Sequence, residues 1–262
     1  MLQLMILAIV QGLTELLPVS STAHLLIANK ILHTNYTDNF YLTMLQLGTT
    51  IAIILLNWDF LFKNLFTKEK FNLYFKIAVS SIPVVIVGLL LNDYVVTHFH
   101  SMYIIIASLI LVGIAMILIE NDGNKLKKEG LEQVSFKQSL TMGFAQVIAL
   151  IPGVSRSGIT TLGGILSGIN KYDALQFSFV LGVPALLGSF AYETYKTPGS
   201  IKVLMQPSSI IAILLSGIIG YLSIIVLKKF SKEKFLTVFG VYRIILGIVL
   251  LIVMIMAPSF LG

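Results

Sequence analysis

The segment from Gln11 to His24 places polar and ionisable side chains in an apolar stretch, Gln-Gly-Leu-Thr-Glu-Leu-Leu-Pro-Val-Ser-Ser-Thr-Ala-His. Gln11 and Glu15 are four residues apart, as are Ser20 and His24, so each pair shares one face of a helix. The proline between the pairs breaks the helix, and the serines favour the start of the next one. A carboxylate, hydroxyls and an imidazole on adjacent turns are groups that nucleophilic and acid–base catalysis use.

A second polar segment, Pro-Gly-Val-Ser-Arg-Ser-Gly at 152–158, interrupts another apolar stretch. It contains Arg156, one of two arginines in the chain, and a guanidinium binds phosphate through two parallel hydrogen bonds. An arginine at membrane depth is costly and marks a functional site by default. A helix starting here would also offer free N–H groups to an anion. The expected phosphate ligands are Ser20, Ser155, Arg156, Ser157 and Thr160.

Phosphate beside a carboxylate is repulsive unless a cation lies between them. Mg²⁺ is commonly held by one or two carboxylates together with phosphate oxygens. Glu15, assisted by the amide oxygen of Gln11, is the expected ligand of Mg²⁺, with Ca²⁺ as the alternative. The attacking group is either His24, or Ser21 helped by His24. We favour His24 as nucleophile or general acid–base, with Ser21 positioning the phosphate and Arg156 completing the catalytic set.

The composition is that of a polytopic membrane protein. Of the 262 residues, 56% are hydrophobic and 11% are charged, with a mean hydropathy of +0.93. Soluble domains carry roughly 25% charged residues. The net charge of +6 belongs to short loops between apolar runs, which argues against nucleic acid as a partner. There is no cysteine, so disulfides and thiolate metal sites are excluded. We expect a single integral membrane domain over 1–262.

Six segments are long and apolar enough to cross a bilayer, which takes about 20 residues per helix. They predict an all-α fold with transmembrane helices near 41–57, 76–91, 102–119, 174–193, 208–227 and 236–257.

The two polar segments each interrupt an apolar region whose halves are too short to cross. We therefore expect re-entrant helix hairpins at 1–33 and 139–170, entering from opposite faces and meeting near the midplane, where protein or water can satisfy the broken backbone. Each hairpin is followed by full spans. This order predicts an inverted repeat, with a first unit at 1–119 and a second at 138–257.

Lysine placement sets the expected orientation. The loops 63–76, 125–137 and 228–234 each carry four lysines, and the positive-inside rule places them in the cytoplasm. The loops 33–40 and 92–101 carry aspartate and no lysine or arginine. Both termini and the opening of the site would then face the outer side.

Further predictions concern residues outside the two polar segments. Glu120, at the end of a span, is read as solvated at the cytoplasmic surface. Gln146 is expected to hydrogen-bond across the repeat, and Glu193 to lie near the site entrance. Gly217 and Gly220 would permit close helix packing, within the chain or in a homodimer.

The polar motifs give the chain a family resemblance. Gln11-x-x-x-Glu15, Pro18-Val-Ser-Ser-x-x-His24 and Pro152-Gly-x-Ser-Arg-Ser-Gly158 resemble the signatures of the undecaprenyl-diphosphatase family, also called bacitracin resistance proteins. Size and span order agree as well. The first position of the acidic motif is Glu or Gln in the family; Gln11 leaves one carboxylate here. By motif match, the functional positions implied are Glu15, Ser21, His24, Ser155, Arg156 and Thr160.

The resemblance implies a phosphatase of the bacterial inner (cytoplasmic) membrane. It would depend on a divalent cation and convert the lipid undecaprenyl diphosphate to undecaprenyl phosphate, which recycles the carrier for peptidoglycan synthesis and confers bacitracin resistance. The rival reading is a secondary transporter or flippase of an anionic lipid or phosphate-bearing substrate, because broken helices meeting at the midplane are a transporter signature. Beyond the polyprenyl diphosphate, the expected partners are membrane lipids and a second copy of the chain.

Overall fold

The computed structural model describes residues 1–34, 36, 38–99, 101–125, 130–230 and 234–257. Over these residues the chain is helical, with no strand. The lysine-rich loops predicted at 125–137 and 228–234 lie partly outside the described residues. The helices are α1 (Leu2–Thr14), α2 (Ser21–Leu32), α3 (Asn39–Leu56), α4 (Trp58–Phe62), α5 (Lys68–Phe99), α6 (Met102–Lys125), α7 (Phe136–Ile148), α8 (Arg156–Leu166), α9 (Lys171–Lys196), α10 (Ser200–Leu204), α11 (Pro207–Phe230) and α12 (Phe235–Met256).

Six of these helices are long and apolar enough to cross a membrane: α3, α5, α6, α9, α11 and α12. They match the six predicted spans, which confirms the all-α polytopic fold. The largest difference is in α5, which begins at Lys68 and continues to Phe99, well beyond the predicted 76–91. The lysines, glutamate and leucine before the apolar part favour a helix. After it, α5 continues through most of the predicted loop 92–101, so that loop prediction is wrong up to Phe99.

The two interrupted regions form the expected pairs of short helices, α1 with α2 and α7 with α8. α1 and α7 each have 13 residues, or about 20 Å at 1.5 Å per residue, less than the roughly 30 Å hydrocarbon core of a bilayer. The second helix of each pair begins after a serine with positive φ, 74° at Ser20 and 73° at Ser155. Each serine side chain accepts a hydrogen bond from the backbone N–H three residues later.

The two helix pairs pack in equivalent places. α1 packs on α11 and α7 packs on α5, while α3 contacts α9 and α6 contacts α12. Both contacts of the short helices need glycine: a Cβ on Gly12 would lie 2.8 Å from the Ser216 carbonyl oxygen, and one on Gly143 would lie 2.1 Å from that of Ser80. The first helix of each pair therefore packs through a glycine against a long helix.

Gly217 and Gly220 are used inside the chain. Gly217 lies against Gly48 of α3, and Gly220 lies against Thr49, with contacts of 3.0 Å for an added Cβ in each case. α11 and α3 thus pack closely along this face, and a homodimer would have to use other residues.

The prediction that Glu120 is solvated is wrong. Its carboxylate is fully buried, pairs with Lys171 Nζ at 3.2 Å, and accepts hydrogen bonds from the N–H groups of Leu236 and Thr237. The position at the end of a hydrophobic span suggested a surface residue. The first turns of α9 and α12 cover it instead, and the carboxylate satisfies donors at the N-terminus of α12.

Candidate active site

A cavity of about 350 Å³ lies where the two helix pairs meet α3, α5 and α9. One part of its lining is polar and contains the breaks between the short helices. The other part is apolar and comes from α5, α9 and the end of α7. Five predicted site residues line the cavity: Glu15, Ser20, Ser21, Ser155 and Arg156. The C-terminal part of α9 contributes Tyr192 and Glu193 to the lining.

An ion pair joins the two helix pairs. Arg156 Nη2 at the start of α8 lies 3.0 Å from Glu15 Oε1 at the end of α1, and both side chains are largely buried. Arg156 Nη1 donates to the Ser178 carbonyl oxygen at 3.3 Å. The acidic cluster and the guanidinium, which are 141 residues apart in sequence, are therefore in direct contact, as the sequence predicted.

Ser21 is hydrogen-bonded to the same carboxylate. Its Oγ donates to Glu15 Oε2 at 2.6 Å, a short bond of the kind found when the acceptor is ionised. Since Ser21 also lines the cavity, its oxygen has a base beside it and open space for a ligand. This is the arrangement of an activated serine nucleophile.

The polar part of the cavity is suited to anions. α2 and α8 both begin there, and the first N–H groups of a helix have no partner within the helix. Their caps, Ser20 and Ser155, hold a positive φ that is costly for a residue with a Cβ, and such strain clusters at functional sites. Arg156 Nε is buried without a hydrogen-bond partner among the described residues, which leaves it a donor for a ligand.

Ser157 and Thr160, two predicted phosphate ligands, do not line the cavity. Ser157 Oγ donates to the Leu17 carbonyl oxygen at 3.3 Å, and Thr160 Oγ1 donates to that of Arg156 at 2.7 Å. Ser157, one residue after Arg156, is rotated by about 100° around α8. Thr160 is one turn after Arg156, on the same side of the helix, but its hydroxyl is bonded back to the helix backbone. They connect the two breaks and hold the first turn of α8.

Gln11, the second predicted metal ligand, also lies behind the cavity wall. It is fully buried, and its Nε2 donates to Glu15 Oε2 at 3.1 Å. Its Oε1 is buried without a partner among the described residues. No group of three or more His, Asp or Glu residues that could bind a metal occurs in the described part of the chain. Any cation must therefore use a small set of oxygen ligands.

His24 faces away from Glu15 and Arg156. Its Nδ1 is 2.7 Å from the Ser20 carbonyl oxygen, and its Nε2 is 2.6 Å from the Tyr242 hydroxyl on α12. Because a carbonyl only accepts, Nδ1 carries a proton, and in a neutral ring Nε2 accepts from Tyr242. His24 does not line the cavity, and both ring nitrogens are already engaged. It holds the carbonyl of the strained cap next to Ser21.

Arg243 is the site residue that sequence reasoning underrated. It is fully buried on α12 and donates to five carbonyl oxygens, two of them on α6. The other three, Pro18, Gly153 and Val154, belong to the breaks in both helix pairs. The signal was present, since Arg243 is an ionisable residue inside a predicted span. It fastens the two breaks to each other and adds positive charge behind the anion site.

Replacing Arg243 by methionine should destabilise the protein. It would leave several buried carbonyls without donors, at a cost of about 1–3 kcal/mol each where no other donor replaces the guanidinium. We expect the apparent unfolding temperature in detergent to fall by ~5 °C or more. Tyr242→Phe, on the same turn of α12, is the matched control and should cost much less. Equal stability of the Arg243→Met variant and the wild type would contradict this role.

Two further residues at the site were not recognised as such. A Cβ on Gly182 of α9 would lie 2.2 Å from Arg156 Nη1, so this glycine makes room for the guanidinium. Gln146 lines the cavity, but the hydrogen bond predicted for it across the repeat is absent: both polar atoms of its side chain are buried without a partner among the described residues.

Two other histidines belong to the predicted loop 92–101. His98 Nδ1 contacts the Tyr94 carbonyl oxygen, and His100 lies outside the described residues.

Comparison with known proteins agrees with the motifs. Residues 4–249 match the family described as bacitracin resistance protein BacA. An undecaprenyl-diphosphatase of Enterococcus faecalis is 35% identical, with 96% of each chain covered. One from Campylobacter fetus is 37% identical over 96% of this chain and 98% of its own, and one from Lactiplantibacillus plantarum is 36% identical over 94% of each. With its two broken helix pairs meeting at Glu15 and Arg156, the chain belongs to the BacA family of bacitracin resistance proteins.

Proposed function

We propose that this protein is a membrane phosphatase that hydrolyses undecaprenyl diphosphate to undecaprenyl phosphate and inorganic phosphate. The product re-enters cell-wall synthesis as the lipid carrier, and its regeneration confers bacitracin resistance. The observation that carries the proposal is the chain of contacts Ser21–Glu15–Arg156 on one cavity wall. It supports Ser21 as nucleophile, Glu15 as its base and the Arg156 guanidinium as the phosphate-binding group.

The diphosphate would bind across the starts of α2 and α8. Arg156 offers its unpartnered Nε and its remaining N–H groups, and the backbone N–H groups at the two helix starts offer further donors. Fixed donors in a site with little water stabilise the charge that develops during phosphoryl transfer, which is mostly a matter of positioning and electrostatics.

The contacts favour Ser21 as the attacking group over His24. Ser21 Oγ would attack the terminal phosphorus while its proton passes to Glu15 Oε2, and the bond from phosphorus to the bridging oxygen breaks. Undecaprenyl phosphate leaves, and the terminal phosphoryl group remains on Ser21. The departing undecaprenyl phosphate takes up the proton that Glu15 carries. Water then attacks the phosphoserine while its proton passes to Glu15, and the bond from phosphorus to Ser21 Oγ breaks. Glu15 returns the proton to Oγ as inorganic phosphate is released. His24 positions the Ser20–Ser21 turn in this scheme.

A divalent cation, Mg²⁺ or Ca²⁺, fits the oxygen atoms present. Glu15, which lines the cavity, would hold it together with phosphate oxygens and water. Gln11 lies behind the cavity wall and would support Glu15 through its amide hydrogen bond instead of binding the cation. When bound, the cation neutralises charge on the phosphates. The Glu15 carboxylate could then act as the base for Ser21 without repelling the anionic substrate.

The apolar part of the cavity would hold the first isoprene units of the lipid. Val84, Val85 and Leu89 of α5 line it, and Val85 and Leu89 are exposed. The prenyl chain would therefore leave between α5 and α9 into the bilayer of the inner membrane. The lysine pattern and the Glu193 end of the cavity support an opening on the outer side.

The test uses purified protein in detergent with undecaprenyl diphosphate and Mg²⁺, with free phosphate measured over time. We expect turnover by the wild type, and none by an equally folded Ser21→Ala variant. Saturable uptake of the lipid into liposomes without phosphate release would contradict the phosphatase and favour the transporter reading.

A further inference from the structure

We propose that Gln146 is a substrate-binding residue whose side-chain amide donates a hydrogen bond to a phosphate oxygen of the diphosphate. This inference rests on the proposed function and adds a ligand from α7 to the site.

Gln146 has a buried side-chain amide in the cavity wall that makes no hydrogen bond to the described residues. It is 1% exposed and lines the cavity, yet neither Nε2 nor Oε1 has a partner among the described residues. A buried amide with no hydrogen bond costs free energy, and most such groups in folded proteins are paired. Because Gln146 is part of the cavity wall, a ligand bound in the cavity can pair its amide.

The place of Gln146 in the fold matches that of Glu15. Glu15 lies three residues after Gly12, where α1 meets α11, and Gln146 lies three residues after Gly143, where α7 meets α5. Both residues therefore stand one turn beyond a close helix contact, near the end of the first helix of a pair. Glu15 touches the reacting serine, and Gln146 approaches the same cavity from the other pair.

The amide, rather than a second carboxylate, suits an anionic ligand. An ionised diphosphate presents acceptors only, so it can pair with the Nε2 donors but would repel a carboxylate at this position. Hydrogen bonds to charged groups are among the stronger ones in proteins. Gln146 would thus add to Arg156 a neutral donor on a separate helix and help to orient the diphosphate for attack.

Gln146→Met tests the proposal because it keeps length and volume while removing both polar atoms. We expect kcat/KM for undecaprenyl diphosphate to fall about 10- to 100-fold, the loss of one hydrogen bond to a charged group. The unfolding temperature should stay equal or rise, because no internal hydrogen bond is lost. Inhibition by inorganic phosphate, measured on the same samples, should weaken in parallel. Gln146→Glu should lower kcat/KM further.

Ser209→Ala is the matched control. Ser209 Oγ is also buried without a partner among the described residues, but it does not line the cavity, so kcat/KM should not change. An unchanged kcat/KM in Gln146→Met would overturn the inference. A clear loss of stability in that variant would also overturn it, since it would reveal a structural role. An inactive wild type would instead refute the proposed function itself.

Discussion

Replacing Arg156 by alanine should lower kcat for phosphate release by about 10³-fold or more, the range found when an arginine that stabilises a transferring phosphoryl group is lost. Arg156 is the proposed phosphate-binding cation, and its Nε has no partner among the described residues. The change also leaves the buried Glu15 carboxylate without its cationic partner. Arg156→Lys keeps the charge but not the planar fork, and we expect it to recover only a small part of the rate.

Gly182→Val moves the same guanidinium without removing it. A Cβ at this position would lie 2.2 Å from Nη1, and the atoms in the way belong to the far end of a flexible side chain. The protein should therefore fold, with Arg156 displaced from Glu15. We expect a fall in kcat of at least ~10-fold, since misplacing a catalytic group by about 1 Å can cost 10²-fold.

The control for these three variants is Leu187→Val, on the same helix as Gly182 but with its side chain 39% exposed and outside the cavity lining. Its kcat should match that of the wild type. Phosphate release, thermal unfolding and lipid binding are measured on all four variants. An Arg156→Ala enzyme that folds and turns over at the wild-type rate would remove Arg156 from the site.

The long helices and the two breaks were predictable because they depend on local features. A run of about 20 apolar residues must be satisfied as a helix in lipid, and a proline followed by serines ends one helix and caps the next. The meeting of Glu15 with Arg156 was predictable as well, because neither charge is tolerated in an apolar region without a partner. The lengths of the apolar runs therefore predicted the helices, and the need to pair the two buried charges predicted the contact between them.

Side-chain direction was not predictable in the same way. Ser157 belongs to the second polar motif, but its hydroxyl donates to the Leu17 carbonyl oxygen in the other break instead of lining the cavity. His24 turns toward Tyr242, which is 218 residues away in sequence. Glu120 is buried by the starts of two helices that are distant in sequence. Each of these outcomes depends on tertiary packing, which a motif in one segment does not contain.

Arg243 shows the opposite case. Its position inside a predicted span was enough to indicate that it is important. Its partners could not be inferred, because all five are backbone carbonyls, and every residue has one. For the same reason the connection between the two breaks was visible only in three dimensions.

Ser21→Ala should abolish phosphate release, with kcat lower by about 10⁴-fold or more, because losing a nucleophile removes the covalent route altogether. His24→Ala should lower kcat far less, by about 10- to 100-fold. His24 holds the Ser20 carbonyl and the Tyr242 hydroxyl, and its loss disturbs the position of Ser21 without removing the attacking atom. If His24 were the nucleophile, the order of the two effects would be reversed.

Tyr242→Phe separates the two mechanisms further. It removes the hydroxyl that occupies His24 Nε2. With Ser21 as nucleophile, the variant should lose only a small part of the wild-type rate, because one contact that positions the cap becomes weaker. With His24 as nucleophile, freeing the ring nitrogen should preserve or raise the rate.

A chemical test identifies the atom that carries the phosphoryl group. Enzyme mixed with substrate labelled in the terminal phosphate is quenched in acid within the first turnover, digested and analysed by mass. We expect acid-stable label on the peptide that contains Ser21 and none in Ser21→Ala. Phosphohistidine is lost in acid, so label on His24 that survives only in base would refute the serine mechanism. Wild-type turnover without any covalent label would also refute it, since water would then attack the diphosphate directly, with Glu15 as its base.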